Sequence, residues 1–253
     1  DLTDAATTAT TYQEFYDAFV QDDMVFKKQP MKPASGTGYT KTHSSQVTMT
    51  YDRLKRLAMG YLTKGTRVYN DERTLNTILA AMDFMYNTNK YNANTAKPGG
   101  KPSDTNPFGN WYDWQIGTPL RYLDLLVLMY DKLTPEQVGK FTGAVKFFTP
   151  YPTHGSQNTG ANKIWKCSIV AENAILMKDG ALLSQVAPDV KTELKYVTSG
   201  DGYYADGSFV QHNHFAYTGG YGKALLVTLA PVINVLNGTK YALKYDDGAE
   251  RVF

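Results

Sequence analysis

The chain has 253 residues, of which 42% are hydrophobic and 20% are charged, so it carries enough apolar side chains for a sizeable core and too little charge for a disordered segment. The net charge of +2 supplies no strong global field, which argues against a nucleic-acid-binding protein. No apolar run approaches the roughly 18 residues of a membrane helix, so we expect no membrane association.

The predicted elements are helical from about residue 40 onward. A Thr- and Ala-rich stretch at 1–11 and a Pro-, Gly- and Lys-rich stretch at 27–38 come first, and the second is typical of a loop. Apolar residues then recur at three- and four-residue spacing within 51–62 and 75–86, which predicts two amphipathic helices. The polar segment 88–109 predicts an exposed loop, and a loop longer than about 12 to 15 residues is often functional.

Further helices follow at short intervals. Pro119 and Pro135 stand in first-turn positions, and each indicates the start of a helix. Apolar spacing predicts the remaining helices within 167–175, 182–194 and 224–236. Pro231 predicts a kink in the last of them. Because we find neither strand alternation nor a βαβ rhythm, the sequence predicts an all-α chain of antiparallel helical hairpins, closed into a toroid rather than extended as a solenoid.

Two features of the composition stand out, namely the many aromatic residues and the single cysteine. The chain has 19 Tyr, 11 Phe and 3 Trp. Tyrosine has an apolar face and a polar edge, so this excess favours a surface that stacks on sugar rings, although tyrosines also fill the borders of amphipathic helices. The single cysteine, Cys167, excludes an intrachain disulfide and a multi-cysteine metal site, and its apolar helix face predicts a core position.

Three segments interrupt the helical pattern with Gly, Asn, His and aromatic residues, namely 109–119, 153–165 and 200–222. In the second, Asn162 precedes a predicted helix, where it is equally suited to be an N-cap or to anchor a carboxylate through its amide.

The third segment holds the most reactive side chains. His212 is a candidate base because histidine as a residue type can exchange a proton near neutral pH, and Tyr221 lies among glycines that let the backbone approach a ligand. The pair His212 and His214 suits a metal, but no carboxylate motif such as HExxH accompanies it, and a structural role for His214 is the simpler interpretation. Asp201 and Asp206 are typical of turns.

The three segments, in this order, resemble the catalytic helical domain of polysaccharide lyase family 8, which includes the hyaluronate, chondroitin AC and xanthan lyases. The resemblance depends on NWYDWQIGTP from Asn110, NTGAN ending at Asn162, and DGSFVQHNHFAYTGGYG from Asp206. It covers most of the chain, from about residue 40 to residue 240. It implies an α/α toroid with a long cleft that acts by β-elimination on a uronic acid, without a metal or another cofactor.

Matched residue by residue, the resemblance gives the catalytic roles to Asn162, His212 and Tyr221. Asn162 would neutralise the uronate carboxylate, Tyr221 would protonate the leaving oxygen, and either His212 or Tyr221 would be the base. The family's aromatic patch begins at a tryptophan pair, which here is Trp111 and Tyr112. We expect both to bind substrate, with a smaller stacking face at Tyr112.

The resemblance also implies how the chain is organised. We expect one catalytic domain over residues 1–253, an incomplete α/α toroid from a longer secreted enzyme. The chain begins at Asp1 without a methionine, and it ends at Phe253 before the arginine and the β-sandwich domains that the family uses downstream. Those C-terminal domains of the parent chain are therefore expected partners, together with an anionic polysaccharide substrate.

The sequence leaves several functions open. Hyaluronan or chondroitin is the expected polymer, and xanthan is the alternative within the family. A glycoside hydrolase would need two carboxylates, for which Asp113, Asp206 and Glu172 are available. A non-catalytic glycan-binding toroid is the third hypothesis.

Overall fold

The structure is a computed structural model that describes residues 44–96 and 105–245. The Thr- and Ala-rich stretch at 1–11 and the predicted loop at 27–38 lie outside the described residues. The chain divides into two compact units, with the boundary between Phe148 and Thr149. Each unit is described by itself.

The first unit is helical, as the sequence predicts. Its helices are α1 (Ser45–Leu62), α2 (Glu72–Asn87), α3 (Thr118–Met129) and α4 (Pro135–Phe148). A π-helical turn at Asp113–Gly117 leads directly into α3, and a 3₁₀ turn at Tyr130–Lys132 follows it.

Local side chains fix where these helices begin. Asp71 is the N-cap of α2, and its carboxylate accepts a hydrogen bond from the Thr74 N–H at 2.7 Å. Before α4, the backbone N–H of Thr134 donates to Gln137 Oε1 at 3.0 Å, and the N–H of Gln137 donates to Thr134 Oγ1 at 3.2 Å. This reciprocal pair is a capping box, which satisfies two N–H groups that the helix itself leaves without partners.

Aromatic rings form the core of the first unit. The Tyr51 ring stacks on Tyr122 with centroids 4.2 Å apart, and the Tyr91 ring stacks on Phe148 at 4.4 Å. Trp114 is fully buried beside Phe148, so it packs within this core. Tyr91 lies within 88–109, so the prediction of an exposed loop is wrong at this position. The ring is buried because it fills the core while its hydroxyl donates to the Trp114 carbonyl at 3.0 Å.

The second unit contains both helices and strands. Its helices are α5 (Gly160–Met177), α6 (Gly180–Leu183), α7 (Val186–Glu193) and α8 (Lys223–Leu236). The predicted helix at 182–194 is therefore two shorter helices. Cys167 is fully buried on α5, as predicted, and burial raises the pKa of its thiol. Helix α8 continues through Pro231.

The prediction that the chain has no strands is wrong for residues 202–216. They form an antiparallel sheet of β1 (Gly202–Tyr203), β2 (Phe209–Gln211) and β3 (Phe215–Ala216), in that order. Each strand has only two or three residues, which is too short for apolar and polar residues to show an alternation. The sheet places the third motif of the sequence against the start of α5.

One segment of the second unit is more apolar than expected, because the sequence was predicted to contain no stretch that could form a membrane helix. Thr218–Leu236 is 19 residues long with a mean hydropathy of 1.3, so by length and composition alone it could cross a membrane. A search for uninterrupted apolar runs misses it because Lys223 interrupts the segment. About 28% of its apolar window is buried, and Leu225, Leu229 and Val232 pack into the core of its unit.

Candidate active site

Asn162 lies inside the first turn of α5. The N-cap of that helix is Thr159, and Asn162 is the third helical residue, so its interpretation as an N-cap is wrong. The side chain is only 2% exposed, and among the described residues it forms no hydrogen bond. The amide is therefore not needed to start the helix.

Side chains distant in sequence satisfy the first N–H groups of α5. The Gly160 N–H donates to Glu193 Oε2 at 2.6 Å, and the Ala161 N–H donates to Gln211 Oε1 at 3.1 Å. Lys163 Nζ lies 3.4 Å from Glu193 Oε1. Burial raises the pKa of Glu193, while the Gly160 N–H and Lys163 oppose that rise. Tertiary contacts thus hold the turn that carries Asn162.

His212 occupies a tight turn between β2 and β3. It has a φ of 57° and Asn213 has a φ of 67°, so two successive non-glycine residues adopt the left-handed conformation. The Asn213 N–H donates to Asp201 Oδ1 at 2.6 Å. This turn leaves the His212 side chain exposed at the end of the hairpin.

His212 and Tyr221 form a hydrogen-bonded pair. His212 Nε2 lies 3.3 Å from the Tyr221 hydroxyl oxygen, and the rings are nearly perpendicular with centroids 5.1 Å apart. Tyr221 belongs to a π-helical turn, Thr218–Gly222, which the hairpin supports because the Tyr203 hydroxyl donates to the Gly222 carbonyl at 3.1 Å. The pair is suited to pass a proton between an imidazole and a phenol.

Trp165 connects this pair to the helix of Asn162. Its ring centroid is 6.0 Å from that of Tyr221, and it follows Asn162 by three residues on α5. Residues three apart share one face of a helix. Asn162 therefore lies on the same face of α5 as Trp165, whose ring is next to that of Tyr221.

Further aromatic residues lie around the pair, and one of them, Phe215, was missed by the sequence analysis. Phe215 and Tyr217 are 50% and 40% exposed, and the Tyr217 ring lies 5.1 Å from that of Tyr221. His214 contacts the Phe215 ring at 4.3 Å. A short alternation of aromatic residues after the histidines was the only available signal.

The two aspartates of the third motif have different roles. Asp206 forms a turn, as predicted, since its Oδ1 accepts from the Ser208 N–H at 2.9 Å and from the Ser208 hydroxyl, and these bonds lower its pKa. Asp201 instead accepts hydrogen bonds from Thr159, Gln211 and Asn213. It therefore joins separate segments, which a turn assignment does not describe.

A buried lysine that sequence reasoning did not identify follows the second segment directly. Lys166 is 0% exposed, and its ammonium donates to the His154 carbonyl, to the Gln157 carbonyl at 3.2 Å and to Asn158 Oδ1 at 2.9 Å. Burial lowers its pKa to about 8. Lys166 thus organises the loop that precedes α5.

Trp111 and Tyr112 lie in the first unit, just before its π-helical turn. Both side chains are half-buried, and their rings meet edge to face with centroids 6.2 Å apart. Asn110 Oδ1 accepts from the Tyr112 N–H at 3.0 Å. The neighbouring Asp113 is buried and accepts from Ser44 Oγ at 2.6 Å, so this carboxylate holds α1 to the turn.

Comparison with known proteins places the chain in a family. Residues 3–250 match the model of the polysaccharide lyase family 8 N terminal alpha-helical domain. The chain belongs to polysaccharide lyase family 8. The family assignment from the three motifs is thereby confirmed.

Named relatives of this family 8 chain include a xanthan lyase and a hyaluronate lyase. The xanthan lyase of Bacillus sp. (strain GL1) is 34% identical over 202 residues, which are 79% of this chain and 20% of that protein. The hyaluronate lyase HylB of Enterococcus faecalis (strain ATCC 700802 / V583) is 31% identical over 231 residues, which are 85% of this chain and 21% of that protein. The chain thus spans about a fifth of the length of these relatives.

A solved family 8 structure supports the fold. Streptomyces coelicolor A3 chondroitin AC lyase, solved in complex with chondroitin sulphate, matches with a TM-score of 0.79 and 29% identity, covering 96% of this chain and 30% of that one. The predicted fold class, an all-α chain of the α/α toroid type, is confirmed by this likeness.

Proposed function

We propose that the protein containing this family 8 chain is a polysaccharide lyase that cleaves a uronate-containing polymer by β-elimination. The observation that carries the proposal is the His212–Tyr221 pair, with Nε2 and the hydroxyl oxygen 3.3 Å apart, beside the helix face of Asn162. β-Elimination needs a base for a carbon acid, an acid for the leaving oxygen and a donor for the carboxylate. These three residue types supply all three functions.

Asn162 is proposed to bind the uronate carboxylate. The C5 proton is hard to remove while the adjacent carboxylate is fully negative, because the developing enolate adds to that charge. The Asn162 amide would donate to a carboxylate oxygen and stabilise the enolate. Its burial excludes competing water, which strengthens such a hydrogen bond.

Tyr221 is proposed to protonate the leaving oxygen at C4. The C5–H and C4–O bonds break, a C4–C5 double bond forms, and the glycosidic oxygen leaves with the Tyr221 proton. Either His212 takes the C5 proton directly, or Tyr221 takes it as tyrosinate after His212 accepts its phenolic proton. The 3.3 Å contact between these groups suits both assignments of the base.

A change of leaving group separates the two assignments. A uronate with a better leaving group at C4 needs no acid, so a Tyr221→Phe variant keeps activity on it if His212 is the base. If Tyr221 is the base, the variant is inactive on the natural polymer and on the uronate with the better leaving group. Retained C5 deuterium exchange in that variant would independently indicate His212.

The proposed substrates are hyaluronan and chondroitin, with Trp111 and Tyr112 as stacking residues. Xanthan is the second candidate, favoured by the 34% identity to a protein named xanthan lyase. We propose a secreted enzyme, since polymers of this size are met outside the cell. We further propose that downstream domains of the parent protein complete the site.

The test is ultraviolet absorbance after incubating the full-length protein with hyaluronan, chondroitin sulfate and xanthan. A lyase produces a conjugated unsaturated uronate that absorbs, whereas a glycoside hydrolase gives new reducing ends without that chromophore. Binding without cleavage would support a glycan-binding module.

A further inference from the structure

A hydrogen bond joins the residue before Asn162 to the residue before His212. Gln211 ends β2 immediately before His212, and its side chain is 1% exposed. Its Oε1 accepts the Ala161 N–H at 3.1 Å, and Ala161 immediately precedes Asn162. A single buried amide therefore sets the separation between the two backbones that carry candidate catalytic side chains.

Asp201 extends this connection to the turn itself. Its Oδ2 accepts from Gln211 Nε2 at 2.8 Å and from Thr159 Oγ1 at 2.6 Å. Its Oδ1 accepts from the Asn213 N–H at 2.6 Å. One carboxylate thus joins the N-cap of α5, the end of β2 and the turn of His212. Hydrogen bonds to a charged acceptor are the stronger class.

The turn requires such support. A left-handed conformation is unfavourable for a residue with a side chain, and His212 and Asn213 adopt it in succession. Asp201 holds the turn through the Asn213 N–H, on the residue after His212. Without that bond the hairpin end would relax toward ordinary backbone angles, and the imidazole would leave its position against Tyr221.

The contact between Gln211 and α5 is also sterically fitted. Gly160 has a φ of 55°, and a Cβ at this position would overlap Gln211 Oε1. The hydroxyl of an N-cap threonine usually accepts a hydrogen bond from an N–H group of its own helix. The Thr159 hydroxyl instead donates to Asp201. Both features show that the start of α5 is shaped around these two side chains.

We propose that Asp201 and Gln211 are positioning residues that hold the His212 imidazole against Tyr221 and hold both beside Asn162. The proposal rests on the lyase function proposed above. Neither residue takes part in the chemistry. Together they set the geometry in which proton transfer is fast.

Two near-isosteric variants of the full-length protein test this role. Asp201→Asn places an amide donor against Gln211 Nε2, and Gln211→Glu places a carboxylate against Asp201. Each should lower kcat by about 10- to 100-fold, the usual effect of misplacing a catalytic group by about 1 Å. KM should change less than about threefold, since a positioning residue does not contact the polymer.

The double variant Asp201→Asn/Gln211→Glu provides the rescue. It exchanges donor and acceptor between the two positions and keeps the net charge. The amide at 201 then donates to the carboxylate at 211, which still accepts the Ala161 N–H, and only the long 3.4 Å bond from position 211 to the Thr159 carbonyl is lost. We expect kcat to return to within about threefold of wild type, because coupled neighbours are strongly non-additive.

The pH profile gives a readout that a general loss of stability would not produce. In Gln211→Glu, two adjacent carboxylates raise each other's pKa, and a protonated carboxyl can donate as the native amide does. The deficit in kcat relative to wild type should therefore shrink as the pH falls. The matched control is Asp206→Asn, an exposed aspartate of the same segment, which should leave kcat and the profile unchanged.

The outcomes separate this inference from the proposed function. Suppose that the wild type makes unsaturated product. The positioning role is then wrong if both single variants keep kcat within about threefold of wild type, and it is also wrong if the double variant restores none of the lost kcat. If the wild type makes no unsaturated product, the proposed lyase function is wrong. Amide hydrogen exchange then tests separately whether Asp201 holds the turn of His212. Faster exchange at Asn213 in Asp201→Asn, reversed in the double variant, supports the role, and unchanged exchange overturns it.

Discussion

Gly160→Ala tests whether the start of α5 is built closely against Gln211. The new methyl group would overlap Gln211 Oε1 and lie 3.1 Å from both Gln211 Cδ and Phe209 Cζ. The left-handed φ costs a non-glycine residue about 1–2 kcal/mol. Overpacking in a rigid site adds about 1–3 kcal/mol. We therefore expect the free energy of unfolding to fall by about 2–5 kcal/mol.

Gly207→Ala is the matched control. Gly207 has a φ of 85° in the same segment, but a Cβ there would meet no atom within 4 Å. It should show the backbone cost alone, so the difference between the two variants isolates the steric overlap. Urea denaturation followed by ¹⁹F NMR of 5-fluorotryptophan measures the second unit through Trp165, separately from Trp111 and Trp114. Equal destabilisation by the two variants would refute the proposed close packing.

Two further predictions concern side chains of α5. Asn162→Ala should lower kcat by about 10²- to 10³-fold as an oxyanion-type donor is lost, while the free energy of unfolding changes by less than about 1 kcal/mol, because Thr159 is the N-cap. Steady-state kinetics beside urea denaturation checks this, and a large loss of stability with normal turnover would restore the capping role. Burial lowers the pKa of Lys166 from 10.5 to about 8. Between these two pH values the unfolded chain binds more protons than the folded chain, so the free energy of unfolding rises with pH. We expect a rise of about 2 kcal/mol from pH 7 to 10. Urea denaturation of Lys166→Met should lack this rise, and an identical pH dependence in the variant would contradict the assignment.

The helices were predictable because periodic patterns over a dozen or more residues report burial of one face. Tyr51 and Leu54 on α1 are fully buried, as their spacing indicates. Tyr91 shows the limit of that reasoning. Its polar surroundings predict exposure, but a single ring can fill a core when its hydroxyl finds a carbonyl.

The candidate site was predictable where a residue type suggests chemistry. His212 and Tyr221 were singled out from the sequence, and the fold brings them into contact. The positioning roles of Asp201 and Gln211 were not recognised, since their partners lie up to 52 residues away and no local pattern records such a pairing. An N-cap role was left open for Asn162 for the same reason, because the side chains that accept from the first N–H groups of its helix, Glu193 and Gln211, belong to other elements.

The most direct test of the account is the turnover of Tyr221→Phe in the full-length protein on the polymer that the ultraviolet assay identifies. The variant removes only the phenolic hydroxyl that contacts His212 Nε2. The matched control is Tyr204→Phe, whose hydroxyl donates to the Gly200 carbonyl at 3.0 Å. We predict that Tyr221→Phe lowers kcat by at least about 10²-fold with the fold retained, while Tyr204→Phe keeps wild-type turnover. Near-normal formation of unsaturated product by Tyr221→Phe would contradict the proposed mechanism.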